Sequence, residues 1–388
     1  MRIAVLGGAG ATGSAAVRNL VEDKHVSEVL VGDANEEKLE KFASKLRSSK
    51  VSTKVVDVRK IDETADFIRG CDVVINAVQY YFNLDVMMSA LKAGVHYVDH
   101  GGLYHVTLKQ LELDDQFCSK ELTALVGMGA QPGLTNLCAS HAASLLDEMK
   151  AVYIRDGYRD LTPNGPFFTW SPSTLFDEMI LDAVVLRGGK TVSVPAFSLS
   201  EEVDFPEPVG RLKTYVTLHS ELATFPRSFK GKNLSECDWM EGSPELELIK
   251  KLADIGFASL DEIDYEGCRV SPRRLFLKLV EMKDLMGFRE GVVPDDWEYT
   301  YVYVVGRKMS RDVKLVYRIL FPPHQGWMMS CSQTGVGIPS STAAVMIAEN
   351  QITARGVVPP ETALEPASFF EKMAQHGIEI MQTEESIR

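Results

Sequence analysis

The sequence predicts an α/β protein in which a parallel sheet is followed by a second domain with a mixed, largely antiparallel sheet. Two patterns lead to this prediction. Up to about residue 130, short segments rich in β-branched residues alternate with helical segments, as in a parallel sheet joined by crossover helices. Beyond residue 131 this alternation stops and longer strand patterns take over, so we expect a domain of different construction there.

Six strands are predicted in the N-terminal part because their apolar runs are continuous, as expected of strands buried on both faces. They span residues 3–6, 29–31, 51–56, 73–77, 96–98 and 123–126. Helices are predicted between them at 15–22, 36–46, 62–68 and 84–93. Asn83 fits the N-cap of the last helix and Gly94 its terminating position.

The second part begins with an apolar helix, predicted at 134–149, and continues with a Pro- and Gly-rich loop at 161–173. Its strands are predicted at 151–154, 212–218, 298–305 and 313–320, the last two as an antiparallel pair. Near the C-terminus, residues 335–339 predict a turn before a helix at 342–349, and a further helix is predicted at 368–376.

The overall composition is that of a soluble globular chain with two to three domains: 388 residues, 45% hydrophobic and 24% charged. A net charge of −13 argues against a nucleic-acid partner, since such a surface does not neutralise phosphates. No apolar run approaches the roughly 20 residues of a membrane-spanning helix, and we expect no signal peptide. Six dispersed cysteines without metal-ligand spacing indicate free thiols, no metal site and a cytoplasmic location.

A glycine-rich loop lies between the first strand and the first helix. Its residues, Gly8-Ala9-Gly10-Ala11-Thr12-Gly13, match the G-x-G-x-x-G pattern of dinucleotide-binding folds. We expect Gly8 to permit the tight turn, Gly10 to let the pyrophosphate approach the backbone, and Gly13 to let the helix pack closely on the sheet. Ala11 and Thr12 open the helix, whose N-terminal N–H groups attract anions. A structural glycine turn without a nucleotide is the alternative interpretation.

Asp33 ends the second strand about 20 residues after Gly13, as the dinucleotide pattern requires. Its carboxylate can accept hydrogen bonds from both ribose hydroxyls and would repel a 2′-phosphate, so the inferred cofactor is NAD rather than NADP. For Asp57, at the end of the third strand, a solvated loop carboxylate and a cofactor contact are equal alternatives. The other cofactor contacts predicted at strand ends are Val58, Asn76, Ala77 and Val78.

Three consecutive loops follow strands four to six and should meet at one edge of the sheet, at residues 79–83, 99–105 and 127–133. They gather polar aromatic residues, histidine, aspartate and glycine, which we expect around the nicotinamide end of the cofactor. Each member taken alone has a plain structural explanation. Tyr80 and Tyr81 could cap an apolar edge, His100 could be solvated, and Asp99 could be a helix N-cap.

Seven segments of the chain form a recognisable set. Those of the nucleotide part are 8–13, 76–82, 97–102 and 127–133. Together they resemble the saccharopine dehydrogenase-like family of amino-acid oxidoreductases. Three later segments, 168–172, 205–210 and 218–224, are similar to the substrate domain of its lysine 6-dehydrogenase branch. The resemblance covers most of the chain and indicates the reaction class better than the substrate.

The resemblance implies a Rossmann domain formed by residues 1–130 and 334–388, with a mixed, largely antiparallel α+β substrate and dimerisation domain inserted at 131–333. It also implies hydride transfer between NAD and a carbon that bears nitrogen, giving an imine that water opens to an aldehyde and an amine. We expect an amino-acid substrate and a homodimer or larger homo-oligomer.

That chemistry needs a base, because an amine with a pKa near 10.4 must lose a proton before its carbon can release hydride. The candidates are Asp99, His100, Tyr80 and His219. A substrate carboxylate is best held by a guanidinium. Arg211 and Arg227 are preferred for this role, with a surface ion pair as their alternative. The remaining predicted contacts are Tyr81, Gly101, Gly102, Glu221 and Thr224 for the substrate and Gly129 for the cofactor.

Three functions remain open on the sequence. The leading hypothesis is NAD-dependent oxidative deamination of the side-chain amine of L-lysine or a close relative. The alternative is a saccharopine-type dehydrogenase or reductase that acts on a secondary amine, including carboxynorspermidine-like substrates. An acidic chain with few arginines in its motif loops mildly disfavours a substrate arm with extra carboxylates. The third is a non-catalytic NAD-binding protein, since a fold does not determine a function.

Overall fold

Two large sheets organise the chain, which a computed structural model describes for residues 1–283, 285–287 and 291–387. The first is a seven-stranded parallel sheet and the second a nine-stranded mixed sheet. The predicted α/β class, with a parallel sheet and a mixed, largely antiparallel one, is confirmed. None of the described helices combines the length and apolar character needed to cross a membrane.

The strands and helices are numbered in chain order. The strands are β1 (Arg2–Leu6), β2 (Glu28–Asp33), β3 (Val51–Val55), β4 (Val73–Asn76), β5 (His96–Asp99), β6 (Thr123–Leu125), β7 (Glu148–Asp160), β8 (Ala183–Arg187), β9 (Lys190–Val194), β10 (Ser200–Asp204), β11 (Arg211–Val216), β12 (Glu236–Gly242), β13 (Ile263–Tyr265), β14 (Cys268–Val270), β15 (Asp296–Lys308), β16 (Arg311–Phe321), β17 (Gly356–Val358) and β18 (Glu379–Ser386). The helices are α1 (Ala11–Glu22), α2 (Glu36–Leu46), α3 (Ile61–Ile68), α4 (Asn83–Ala93), α5 (Leu103–Leu111), α6 (Asp114–Ser119), α7 (Leu134–Leu145), α8 (Pro172–Ile180), α9 (Glu221–Ser228), α10 (Leu246–Leu252), α11 (Pro272–Met282), α12 (Cys331–Ala348), α13 (Pro360–Ala363) and α14 (Pro366–Ala374).

The parallel sheet has the strand order β17-β6-β5-β4-β1-β2-β3. All six strands predicted for the N-terminal part are present, and the apolar side chains of five of them are buried between helices on both faces. The predicted burial is wrong for β3, which is largely exposed because it lies at the edge of the sheet. The chain leaves β1 on one side for β2 and later returns to its other side for β4. This change of direction opens a crevice at the carboxyl ends of β1 and β4, where such sheets bind ligands.

The mixed sheet has the order β10-β11-β12-β7-β15-β16-β18, with β8 and β9 attached beside β12. The predicted antiparallel pair is confirmed as β15 and β16, which are longer than expected and pair from Lys308–Arg311 to Glu298–Phe321. The helix predicted at 134–149 ends at Leu145 instead, because the alternating segment from Glu148 onward forms β7 between β12 and β15.

The C-terminal segment serves both sheets. Helix α12 packs along α1, and β17 adds to the parallel sheet beside β6. Strand β18, in contrast, pairs antiparallel with β16 in the mixed sheet. Residues 379–386 therefore depart from the prediction that 334–388 all join the nucleotide-binding part.

Two local predictions are wrong. Residues 335–339 form no turn, because a capping box between Ser330 and Gln333 begins α12 upstream and the helix continues through Pro339. Asn83 is not an N-cap, since it lies inside the first turn of α4 with its side chain buried. The predicted helix end at Gly94 is confirmed, with a left-handed φ of 72°.

Candidate active site

A cavity of about 1380 Å³ lies between the carboxyl edge of the parallel sheet and the mixed sheet. It is larger than the roughly 300–1,000 Å³ of a typical ligand pocket, so a dinucleotide and a second molecule can share it. Its lining on the nucleotide side includes Ala9, Gly10, Ala11, Thr12, Ala77, Val78, Tyr80, Tyr81, His100 and Gly101. Its lining from the second domain includes Asp156, Trp170, Glu178, His219, Trp239, Glu241 and Glu298.

The glycine loop makes a tight turn between β1 and α1. The left-handed residue of this turn is Gly7, with φ +74°, rather than the predicted Gly8. Gly8 instead packs on the sheet, where an added Cβ would lie 2.7 Å from Cγ1 of Val31. Gly13 has the predicted packing role, since its Cβ would lie 2.3 Å from the carbonyl oxygen of Gly7. The loop and helix are thus held closely together.

The open side of this loop fits a pyrophosphate. Helix α1 begins at Ala11, and its N-cap, Gly10, provides no side-chain cap for the first-turn N–H groups. A Cβ at Gly10 would meet only the carbonyl oxygen of Gly7, at 3.0 Å, so the cavity side of the residue is free. Uncapped N–H groups at the positive end of a helix dipole are suited to bind phosphate.

The acidic residues at the ends of β2 and β3 differ in environment. Asp33 is half-buried at the end of β2 and accepts a hydrogen bond from Asn35 N at 3.0 Å, next to the loop. Asp57 pairs with Arg59, whose guanidinium holds the pKa of that carboxyl down at about 2. Val58 is buried in the core. Asp33, Asp57 and Val58 all lie outside the cavity lining. Asp33 nevertheless adjoins the glycine loop, since the N–H groups of Gly7 and Gly8 donate to the carbonyl oxygen of Gly32, whereas no such contact among the described residues supports the predicted roles of Asp57 and Val58.

Asp99 is fully buried behind the cavity rather than in it. One carboxyl oxygen accepts hydrogen bonds from the backbone N–H groups of Gly127 at 2.7 Å and Gly101 at 2.8 Å. The other accepts from the Tyr97 hydroxyl at 2.8 Å and Gln110 Nε2 at 2.5 Å. Both oxygens are occupied by protein donors, so the predicted role as general base is not supported. Asp99 positions the loops after β5 and β6.

Asn76 belongs to the same buried network. Its Nδ2 donates to Asn83 Oδ1 at 2.9 Å and to the Tyr97 hydroxyl at 3.1 Å. Asn83 in turn donates to the carbonyl oxygen of Gly101 at 3.1 Å. Asn76 is therefore a structural residue, whereas its neighbours Ala77 and Val78 do line the cavity as predicted.

His100 lines the cavity, but both ring nitrogens are engaged. Nδ1 lies 3.2 Å from Thr12 Oγ1 and Nε2 lies 3.0 Å from Ser340 Oγ. Burial lowers the pKa of the imidazole to about 4, so the ring is neutral at physiological pH. His100 therefore ties the β5 loop to α1 and α12 and has no free nitrogen to act as a base.

Tyr80 connects the two sides of the cavity. Its hydroxyl donates to Asp177 Oδ2 on α8 at 2.9 Å. Burial and the charge of Asp177 raise the pKa of this tyrosine, so it stays protonated. Arg273 Nη1 binds Asp177 Oδ1 at 2.6 Å and completes the contact. Tyr81 follows in the chain with 48% of its surface exposed, and it also lines the cavity.

His219 is the predicted base that the structure favours. Its Nδ1 hydrogen-bonds Oε2 of Glu221, a fully buried carboxyl that also accepts from Thr135 Oγ1 at 2.8 Å. The ring stacks on Trp239 with 3.9 Å between the centroids. A carboxylate beside Nδ1 keeps the proton on that nitrogen and leaves the lone pair on Nε2. In the described part of the chain no protein group bonds to Nε2, and the ring lines the cavity.

Several predicted contacts lie outside the cavity. Arg211 is exposed and pairs with Glu202, because it points outward on the β10–β11 hairpin, and Arg227 is exposed on α9. Thr224 is buried and donates to the carbonyl oxygen of Glu221. Gly102 and Gly129 are packing positions, where an added Cβ would meet Gln110 Oε1 at 2.5 Å and Val336 Cγ1 at 3.2 Å.

Six carboxyls of the described cavity lining were not predicted. Two are Glu245 and Glu281, and the other four form an acidic wall: Asp156, Glu178, Glu241 and Glu298. The amide of Gln131, a residue of the 127–133 segment, donates to Asp156 Oδ1 at 3.0 Å and Glu298 Oε1 at 2.6 Å. Burial raises the pKa of Glu298 to about 7. The only sequence signal for this group was Gln131 itself, since the carboxyls come from separate elements of the second domain.

Two family models cover most of the chain. The saccharopine dehydrogenase NADP binding domain matches residues 3–125, and the saccharopine dehydrogenase C-terminal domain matches residues 129–378. The chain belongs to the saccharopine dehydrogenase family. The family resemblance expected from the sequence is confirmed, and so is a nicotinamide dinucleotide as the cofactor.

Two characterised relatives have names from amine metabolism. A carboxynorspermidine synthase of Vibrio cholerae is 24% identical over an alignment of 413 residues that covers 97% of this chain and 96% of the relative. A carboxyaminopropylagmatine dehydrogenase of Synechocystis is 24% identical over 283 residues, with 70% of each chain covered. The chain is an NAD(P)-dependent oxidoreductase of the saccharopine dehydrogenase family.

Solved structures share the architecture over the full length. Apo saccharopine dehydrogenase (L-Glu forming) from Saccharomyces cerevisiae matches with a TM-score of 0.73 at 16% identity and covers 100% of both chains. Homospermidine synthase from Legionella pneumophila, solved with NAD, matches with a TM-score of 0.66 at 13% identity, covering 98% of this chain and 91% of that one. At these identities the likeness establishes the fold.

Proposed function

We propose that this enzyme oxidises, or in reverse forms, a secondary amine that joins a carboxylated carbon chain to an amine-bearing chain. This is the second of the three functions that the sequence leaves open, rather than the leading hypothesis of lysine deamination. The names of the relatives support it, since carboxynorspermidine and carboxyaminopropylagmatine are both carboxylated polyamine-type compounds.

The observation that carries the proposal is the acidic wall of the cavity. Asp156, Glu178, Glu241 and Glu298 face the space in which a substrate must lie. Among the described lining residues, the lysines and arginines are all on α1 and α2, on the nucleotide side: Arg18, Lys38, Lys41 and Lys45. Burial raises the pKa of each of these four carboxyls, so an ammonium group that enters stabilises their ionised forms, whereas a substrate with several carboxylates, such as saccharopine, meets no lysine or arginine on the described part of this wall.

Lysine remains the competing substrate. Holding the α-carboxylate of a free amino acid calls for a cation near the base. The two arginines expected for that purpose, Arg211 and Arg227, are exposed and lie outside the cavity lining. The proposed substrate also carries a carboxylate, so the position of these arginines does not separate the two substrates. The acidic wall supports the proposed substrate because its amine arm adds a further ammonium group.

The chain's own residues account for the proton chemistry. The cofactor, when bound, supplies or accepts the hydride at the carbon next to nitrogen. Loop 8–13, Ala77 and Val78 would hold it on the parallel sheet. His219 Nε2, oriented by Glu221, takes the proton of the substrate amine and releases it to solvent; it later takes a proton from the water that opens the imine and passes it to the departing amine nitrogen. His100 and Tyr80 keep the surrounding loops in place.

We further propose that NAD is preferred over NADP. Asp33 stands at the end of β2 beside the glycine loop, where its charge would repel a 2′-phosphate. Replacing Asp33 with Ser and Ala34 with Arg should shift the ratio of kcat/KM toward NADP. Equal use of both cofactors by the unaltered enzyme would contradict this preference.

Product analysis tests the main proposal. The enzyme is incubated with carboxynorspermidine and NAD⁺, and in parallel with L-lysine and NAD⁺, and the products are identified by mass spectrometry and an ammonia assay. We expect the secondary amine to be cleaved to an aldehyde and a primary amine, without ammonia. Release of ammonia from lysine, with carboxynorspermidine left intact, would contradict the proposal.

A further inference from the structure

Glu178 has an unusual position in the cavity wall. It lies on α8 with only 4% of its surface exposed. Its Oε2 atom is buried and has no hydrogen-bond partner within the described part of the chain. Buried carboxyl oxygens in folded proteins nearly always have such a partner. Because Glu178 also lines the cavity, the missing partner is expected on a ligand.

Protein cations near Glu178 are already engaged. Arg273 binds the neighbouring residue Asp177, which also accepts the Tyr80 hydroxyl. Burial is the main cause of the raised pKa of Glu178, and the charges of Glu241 and Asp177 raise it further. Glu178 therefore lies near other carboxyls, and no described cation is bonded to it.

Glu241 links this region to the proposed base. It accepts a hydrogen bond from Thr217 Oγ1 at 2.8 Å. The charge of Glu241 raises the pKa of Glu178, and a protonated His219 lowers the pKa of Glu241. Glu241 is thus within electrostatic reach of both residues. An extended substrate could place its reacting nitrogen at His219 and its far end at Glu178.

The wall between these points also suits a methylene chain. Trp170 and Trp239 line the cavity together with Phe168, and Phe168 and Trp239 are largely buried. Aromatic faces pack favourably against methylene groups and attract neighbouring cations. An alternation of apolar and acidic surface matches a molecule in which methylene segments separate ammonium groups.

We propose that Glu178, together with Glu241, binds the distal ammonium or guanidinium group of the amine arm of the substrate. This inference rests on the proposed function and adds the residues that select the substrate by its second positive charge. A cation placed there would supply the missing hydrogen bond to Oε2 and stabilise the ionised form of the carboxyl.

Binding measurements test this site separately from catalysis. The NAD⁺ complex is titrated by calorimetry with 1,3-diaminopropane and with propylamine, which lacks the second amine. We expect the unaltered enzyme to bind the diamine at least about tenfold more tightly, the effect of one charge-assisted hydrogen bond. In Glu178→Gln this preference should fall below about threefold. The exposed Glu371→Gln on α14 serves as the matched control and should keep the full preference.

The outcomes are distinct. Loss of the preference in Glu178→Gln, with NADH affinity and melting temperature retained, supports the site. An equal affinity for the two amines in the unaltered enzyme, or an undiminished preference in Glu178→Gln, overturns it. If Glu178→Gln does not fold, Glu178→Asp takes its place. Aspartate keeps the carboxylate but is one methylene shorter, so the preference for the diamine should be lost in the same way. Failure of the proposed function is seen separately, as absence of carboxynorspermidine cleavage in an enzyme that still binds the diamine through Glu178.

Discussion

His219 depends on a contact made on the side of its ring that faces away from the cavity. Glu221 binds Nδ1, so the nitrogen that faces the substrate carries a lone pair. The sequence predicted both residues, one as a base and one as a substrate contact. It could not predict their pairing, because that depends on how the segment before α9 folds against Trp239.

Glu221→Gln tests this pairing. The amide keeps the shape but can donate a proton toward Nδ1, which favours the wrong tautomer of His219. We expect kcat to fall by about 10²- to 10⁴-fold, the usual contribution of a general base, while NADH affinity stays unchanged by calorimetry. Glu247→Gln on α10, outside the cavity lining, is the control and should retain activity. Unaltered kcat in Glu221→Gln would exclude the dyad.

Asp99 illustrates a residue whose type was predicted correctly and whose role was not. It accepts hydrogen bonds from five donors in the described part of the chain, including Asn83 Nδ2 at 3.3 Å, and is therefore a structural acceptor. Asp99→Asn turns one acceptor atom into a donor that faces other donors, so the free energy of unfolding should fall by roughly 3 kcal/mol. Urea denaturation measures this change. Glu371→Gln, at an exposed carboxyl, should leave the midpoint unchanged, and a fully stable Asp99→Asn with lost activity would restore the base hypothesis.

At the scale of elements, prediction succeeded where structure is local. The strand, glycine loop and helix of the dinucleotide site follow one another in sequence, and all were predicted. The segment 335–339 was misassigned because Gly and Pro usually mark turns. In this segment glycine serves the packing of two helices and does not mark a turn. A Cβ on Gly337 would lie 2.6 Å from the carbonyl oxygen of Thr12, so glycine allows α12 to approach α1 closely.

Gly10 and Gly13 should respond differently to substitution. Gly10→Val places a side chain in the cavity without a serious backbone clash, so NADH binding should be lost while the melting temperature is retained. Gly13→Ala puts a Cβ 2.3 Å from the carbonyl oxygen of Gly7, so stability and binding should fall together. Calorimetry and thermal unfolding distinguish the two. Full NADH affinity in Gly10→Val would show that the loop is not the phosphate site.

At the scale of the whole molecule, the acidic wall has no counterpart in the sequence. Asp156 is on β7, Glu178 on α8, Glu241 on β12 and Glu298 on β15. Only the pairing of β7 with both β12 and β15 brings these distant elements together. Neither the hydrophobic periodicity nor the spacing of residues along the chain predicts that these four carboxyls lie together. The prediction sought arginines for a substrate carboxylate and missed the carboxyls that face an amine.

The acidic wall should make stability depend on pH. Glu298 has a pKa of about 7 in the folded protein against 4.5 in the unfolded chain, so the folded state binds the proton more tightly. Its stabilising effect is complete below pH 4.5 and is lost as pH rises through about 7, by up to ~1.4 kcal/mol per pH unit. Chemical denaturation of the ligand-free protein between pH 5 and 7 should therefore show a steeper decline than Glu298→Gln, with Glu371→Gln behaving as the unaltered protein. Identical pH profiles for Glu298→Gln and the unaltered protein would count against a raised pKa.

The central claim is that this enzyme acts on an amine-rich secondary amine, and one comparison tests it most directly. Initial rates of NADH formation are measured with carboxynorspermidine, saccharopine and L-lysine at several concentrations, and kcat/KM is compared. The account predicts that carboxynorspermidine exceeds both others by about 100-fold or more, equivalent to about 2.7 kcal/mol of transition-state discrimination. A higher kcat/KM for lysine or saccharopine would contradict it.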